Sequence, residues 1–211
     1  MISIRAARRG LVLSVLASVL LSTPVFAQFS DGYNFLKAVR ERKGEDVEKF
    51  INEPGSVALR TKDDATGETA LHIVTQRRDL DWLRYLLQKG ADPDLKDKKG
   101  TAPLLLATQL GWIEGVQGLV KYKAMVDITN RSGETALIRA VQLRNPDMVR
   151  ELLKAGANPD KRDTIAGLSA REYAAQDGRN SAILGIIERG GKTESPAKAG
   201  DLDFSGISDV K

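Results

Sequence analysis

The chain has no cysteine. Disulfide frameworks, thiolate metal sites and cysteine nucleophiles are therefore excluded, while the compartment is left open. Histidine is nearly absent as well, His72 standing alone. A metal site wants several donors and a general base wants an orienting partner, so one imidazole points to a structural hydrogen bond instead. Aromatic residues make up 5% of the 211 residues against 42% hydrophobic. A core rich in Leu, Ala, Val and Ile and poor in rings suits thin helical layers better than one large sandwich. The sequence carries no P-loop, no dinucleotide fingerprint and no G-x-S-x-G elbow. Without a catalytic constellation, the expectation is a non-enzyme that uses neither cofactor nor metal.

At the N-terminus, Arg5, Arg8 and Arg9 precede an apolar run from Leu11 to Leu21, followed by Ser22-Thr23-Pro24-Val25-Phe26-Ala27. This is the layout of a secretory signal peptide, with the small Ala27 at the cleavage position and Gln28 as the expected first mature residue. The run is short for a helix that must cross about 30 Å of hydrocarbon, so a membrane association is expected only if the leader stays uncleaved. The net charge of +4 belongs mostly to that leader. Without its three arginines, 29 basic residues face 28 acidic ones, and a nearly neutral chain lacks the cationic field that phosphate backbones demand. Nucleic acid is not expected as a partner.

The remainder is periodic. Gly67, Gly100 and Gly133 are spaced by 33 residues, and so are Leu71, Leu104 and Leu137. They sit in Gly67-Glu68-Thr69-Ala70-Leu71-His72, Gly100-Thr101-Ala102-Pro103-Leu104-Leu105 and Gly133-Glu134-Thr135-Ala136-Leu137-Ile138. Each block closes on an apolar pair and a turn, as in Leu86-Leu87-Gln88-Lys89-Gly90-Ala91-Asp92 and Leu152-Leu153-Lys154-Ala155-Gly156-Ala157-Asn158. Period, opening and closing together resemble the ankyrin repeat. Two less regular blocks flank these three. The step from Ala38 to Val74 is 36 residues and that from Ala140 to Ala174 is 34, as suits capping repeats that face water on one side.

The resemblance implies an all-α solenoid of about five helix-turn-helix repeats with hairpin-like loops. Their approximate bounds are 31–63, 64–96, 97–129, 130–162 and 163–190, preceded by a leader at 1–27 and followed by a tail at 191–211 with little to bury. Local chemistry agrees. Thr69, Thr101, Thr135 and Ser169 are expected to cap the first helices, Ser169 with Glu172 reads as a capping box, and Asn145-Pro146 reads as a cap followed by proline at the first helical position. Gly90 and Gly156 suit the left-handed residue that ends a helix, and Lys123 replaces glycine at that place in the third repeat. Leu71, Val74, Leu83 and Leu86 correspond to Leu104, Ala107, Val116 and Leu119, one stripe hidden by stacking. Asp92, Asp94, Asp127 and Asp160 recur about one repeat apart, as turn and cap residues do. Trp82 reads as core. Trp112 reads as packing against a neighbouring repeat, with a partner anchor as its alternative.

A polar column is the candidate site. Two residues after each small helix position stand Arg40, Gln76, Gln109, Gln142 and Gln176, four of them among the chain's seven glutamines. By resemblance to ankyrin domains these fall on the concave surface, beside Arg77, Leu110, Leu143 and Asp177. Amides donate and accept together, which suits a peptide laid across the stack, although they serve equally to tie neighbouring loops. The loop tips bearing Lys98, Lys99, Arg131 and Glu68 form a second candidate surface. The tail at 191–211 is expected to be disordered and frayed, with Leu202, Phe204 and Ile207 as a short docking segment in the alternative. The expected function is a monomeric protein-binding module or scaffold, exported and most readily periplasmic. A secreted effector acting in another cell and a scaffold tethered by an uncleaved leader are the alternatives.

Overall fold

A computed structural model describes residues 25–191, with side chains from residue 31. The expected leader up to residue 24 and the tail from residue 192, with Leu202, Phe204 and Ile207, lie outside the described residues. Ten α-helices follow one another in five antiparallel pairs: α1 (Val25–Glu41) with α2 (Gly44–Asn52), α3 (Ala70–Gln76) with α4 (Leu80–Gln88), α5 (Pro103–Gln109) with α6 (Ile113–Lys121), α7 (Ala136–Gln142) with α8 (Pro146–Lys154), and α9 (Ala170–Gln176) with α10 (Ser181–Glu188). The first helices stack in the order α1, α3, α5, α7, α9, and α4, α6, α8, α10 stack behind them. The described chain is an all-α solenoid.

Helices of seven residues do not persist alone in water. They persist here because nearly every side chain is used. Ala70 through Thr75 of α3 are all buried. Leu71, Leu104 and Leu137 are at most 1% exposed, and Leu86, Leu119 and Leu152 not at all. Burying one such leucine contributes about 1.5–3 kcal/mol, and each central repeat shares its leucines with two neighbours.

The caps follow the sequence at three first helices and depart from it at one. Thr135 accepts the Ile138 N–H at 3.2 Å, and Ser169 accepts from the Glu172 N–H while the Glu172 carboxylate accepts from Ser169 N–H at 2.8 Å. Thr69 stands at the same place. In the third repeat the cap position belongs to Ala102, and Thr101 lies one residue outside. The expectation for Thr101 is corrected: α5 begins with Pro103 in its first turn, whose missing N–H needs no acceptor. Thr101 instead holds the loop, its N–H donating to the Asp97 carboxylate at 2.8 Å.

Between pairs, each return loop forms a hairpin finger turned on one carboxylate or amide. Asp63, Asp97, Asn130 and Asp163 each accept two or more backbone N–H groups of their own tip. Adjacent fingers touch: Lys98 N–H donates to the Thr66 carbonyl and Thr164 N–H to the Ser132 carbonyl, both at 2.9 Å. This contact explains the glycine period. A Cβ on Gly67, Gly100 or Gly133 would lie 2.6–2.8 Å from the backbone nitrogen of the next finger, whereas Gly167, at the end of the stack, has nothing within 4 Å.

Candidate partner-binding surface

Each first helix ends by exposing one residue at an equivalent position, and these are Arg40, Gln76, Gln109, Gln142 and Gln176. In α3, α5 and α7 nearly everything before that residue is buried, so there the column stands out as the polar end of an otherwise spent face. Its members differ in how they are engaged. Arg40 donates to Asp63 of the next finger at 2.7 Å, and this guanidinium, with the Thr66 and Ala65 amides, holds the Asp63 carboxyl at about 2. Gln76 donates to Glu68 at 2.6 Å, which ties the column to the base of its own finger. Gln142 faces Tyr173 of the fifth repeat across a shared hollow and interacts with its hydroxyl, which itself donates to Asp163 at 2.6 Å. Gln109 and Gln176 have no hydrogen-bond partner among the described residues.

The neighbouring positions divide further. Arg77 is committed to the stack: it donates to the carbonyls of Val39 at 2.6 Å and Arg40 at 3.1 Å, which close α1, and pairs with Asp79 at 3.1 Å. Its guanidinium also lies over the Trp82 ring. Trp82 packs on the core yet stays partly exposed under that guanidinium. Leu110 is half-buried against the core and Leu143 is 47% exposed. Trp112 is 6% exposed and its ring fills the space beside Gly115, where a Cβ would approach to 2.1 Å. It packs within its own helix turn and offers no anchor. On the fingers, Lys98 donates to the Asp64 carbonyl, while Lys99 and Arg131 are exposed and their side chains have no partner among the described residues.

A ladder that the sequence reading missed runs beside the column. Four residues after the small helix position of the first four repeats stand Arg42, Arg78, Gly111 and Arg144, all at φ between +52° and +65°. Each arginine reaches forward across one repeat boundary. Arg42 pairs with Asp79 at 2.8 Å, Arg78 donates to the Leu110 carbonyl, and Arg144 pairs with Asp177 at 2.6 Å. Asp177 is held well below the usual carboxylate range by Arg179 and then Arg144. The common offset of 42, 78 and 144 from Ala38, Val74 and Ala140 was the available signal. Glycine at 111 leaves the boundary between the third and fourth repeats without this staple.

His72 is wholly structural in its contacts. Its Nδ1 accepts the Thr69 N–H at 3.1 Å, and its Nε2 lies 2.9 Å from the Thr101 carbonyl, to which it donates. The imidazole thus joins two repeats as the neutral tautomer, and burial lowers its pKa. The recurrent acids are turn residues that also bridge repeats. Asp92 accepts within its own turn, Asp94 accepts Met125 N–H and Asp127 accepts Asn158 N–H, each at 2.9 Å. Asp160 pairs with Arg171 at 2.7 Å. Among the described residues no cluster of three His, Asp or Glu is placed to hold a metal, and no helix is long and apolar enough to cross a membrane.

Comparison with known proteins agrees with this architecture. One curated relative, oxysterol-binding protein homolog 1 of Saccharomyces cerevisiae, is 33% identical over 79 residues, which is 36% of this chain and 7% of that protein. The shared stretch is a small part of that much longer relative. A family profile described as ankyrin repeats (three copies) matches residues 6–130 and 71–163, well over half of the sequence. The chain belongs to the ankyrin-repeat family, whose repeats are protein–protein interaction modules.

Proposed function

We propose that this chain is an exported, non-enzymatic scaffold that works in the periplasm or outside the cell by holding another protein on its concave face. The observation that carries the reading is the amide column. Gln76, Gln109 and Gln142 stay exposed on helices that bury nearly everything else, Gln176 ends the half-exposed α9 of the terminal repeat, and Gln109 and Gln176 leave both donor and acceptor unused. Such groups suit the backbone of a partner segment lying across the stack. Export is supported by the basic start, apolar run and small residues ending at Ala27. Family likeness alone does not supply a function, and the column is what points to a surface.

The test is crosslinking of the tagged full-length chain in its native cells, after fractionation, beside the double variant Gln109→Glu/Gln142→Glu. Recovery of one recurrent partner with the periplasmic or extracellular fraction, lost in a variant of unchanged thermal stability, supports the reading. Capture by the variant at wild-type level removes the column as the site. A mature N-terminus at Gln28, read by mass spectrometry, supports cleavage, and an intact leader would favour a tethered scaffold.

A further inference from the structure

The concave face is not uniform, and its differences converge on the third repeat. In the second repeat the column amide is tied back to the finger base by Glu68. The equivalent of Glu68 in the third repeat is Thr101, a short side chain on a residue only 7% exposed whose backbone N–H and carbonyl are taken by Asp97 and His72, and it makes no bond to Gln109. Gln109 is therefore released. The arginine staple is also missing here, because Gly111 stands where Arg42, Arg78 and Arg144 stand elsewhere. Gly111 stands in the turn that follows α5, and at the other end of that helix Lys99 and Arg131 project from adjoining finger tips. They are close together: the Cβ position of Gly100 lies 2.8 Å from Arg131 Cγ, so the arginine stem crosses the residue that follows Lys99.

The acids nearby are largely occupied. Asp97 accepts the Lys99 and Thr101 N–H groups at 2.8 Å, and Glu134, 7% exposed, accepts from Arg139 at 3.0 Å and Asn130 at 2.9 Å. Asp64, on the preceding finger, is exposed, and its backbone carbonyl already holds Lys98. The third repeat thus combines two exposed cations with no ion-pair partner among the described residues, an unpaired amide at the end of α5 and a gap in the staples.

We propose that the third repeat is where the partner is recognised, and that the segment it takes is acidic and extended, its carboxylates meeting Lys99 and Arg131 while its backbone pairs with Gln109. This rests on the reading that the concave face holds a protein. Charge complementarity at such exposed positions sets partner choice and association rate more than final affinity, so binding should weaken steeply with salt.

The experiment is selection of random 12-residue peptides displayed on phage against the immobilised full chain, followed by anisotropy titration of the selected peptides. Expected are peptides enriched in Asp and Glu whose affinity falls by about tenfold or more in Lys99→Glu/Arg131→Glu and by less in the neutral Lys99→Gln/Arg131→Gln. Both pairs sit on exposed tips, and circular dichroism checks that each variant is folded. Peptides without acidic enrichment, or acidic ones indifferent to both variants, overturn the inference while leaving the scaffold reading in place. Heparin binding as tightly as the peptides also overturns it, because a bare cationic surface then suffices. Failure to select any peptide counts against both.

Discussion

Replacing Lys123 by glycine should stabilise this protein, and replacing Arg144 by glycine should not. Both residues hold left-handed backbone, at φ +66° and +52°. A side chain there costs about 1–2 kcal/mol relative to glycine, and the extra freedom glycine gives the unfolded chain takes back about 0.4–1 kcal/mol. Lys123 ends α6 as Gly90 ends α4 and Gly156 ends α8, its N–H donating to the Val120 carbonyl at 2.9 Å. Its exposed side chain makes no hydrogen bond or ion pair among the described residues to offset the strain, so Lys123→Gly should add about 0.5–1 kcal/mol. That is a rise in Tm of roughly 1–4 °C for a chain of this size. Arg144→Gly relieves the same strain but removes the bond to Asp177, 2.6 Å away, and should leave the urea midpoint near the unaltered value. The assay is urea unfolding of both variants, with the slope checked for constancy. Loss of stability in Lys123→Gly would refute the strain argument. Equal gains in both would show that the staple contributes nothing.

The fingers and His72 give two further expectations. Gly100→Ala and Gly167→Ala both place a side chain at positive φ, +81° and +67°, but only the first drives a Cβ to 2.8 Å from the Arg131 backbone nitrogen; denaturant unfolding should show Gly100→Ala costing about 1–3 kcal/mol more. Because burial lowers the pKa of His72 below 6.5, the native state refuses a proton that the unfolded chain takes up, so its contribution is fully present above pH 6.5 and is lost as pH falls from there towards the folded value. Thermal unfolding should therefore show stability declining as pH falls below about 6.5, before carboxylates near pKa 4 begin to titrate. In His72→Gln, which keeps an acceptor for the Thr69 N–H, that slope should vanish; an unchanged slope would assign it elsewhere.

How far the sequence could be read depended on whether a residue's role is local. Gly133-x-Thr135-x-Leu137 and Asn145-Pro146 declare themselves because a cap, a left-handed turn and an apolar stripe are properties of a few consecutive residues. Thr101 misled for the same reason: hydroxyl residues are good caps, but the first helices open in register at Ala70, Pro103 and Ala136, so the place equivalent to Thr69 is Ala102 and Thr101 stands one residue early, at the place of Glu68. The arginines at 42, 78 and 144 went unread because they break the local rule that glycine or asparagine takes left-handed backbone. Their reason lies across the boundary, in Asp79, the Leu110 carbonyl and Asp177. The glycine period was visible, yet its cause, the neighbouring finger's backbone under 3 Å from a would-be Cβ, belongs to the stack.

The same distinction bears on the candidate site. In a one-dimensional stack every repeat must spend polar groups on its neighbours to hold register, so an exposed polar residue signals recognition only after those uses are subtracted. Arg40, Gln76, Arg77, Lys98 and Gln142 are all consumed in that way, by Asp63, Glu68, the end of α1, the Asp64 carbonyl and Tyr173. What remains beside the third repeat is Gln109, Lys99 and Arg131. The column read from the sequence is thus mostly mortar between repeats, and the part of it left for a partner is the part where the repeat departs from its neighbours, with Thr101 in place of Glu68 and Gly111 in place of arginine.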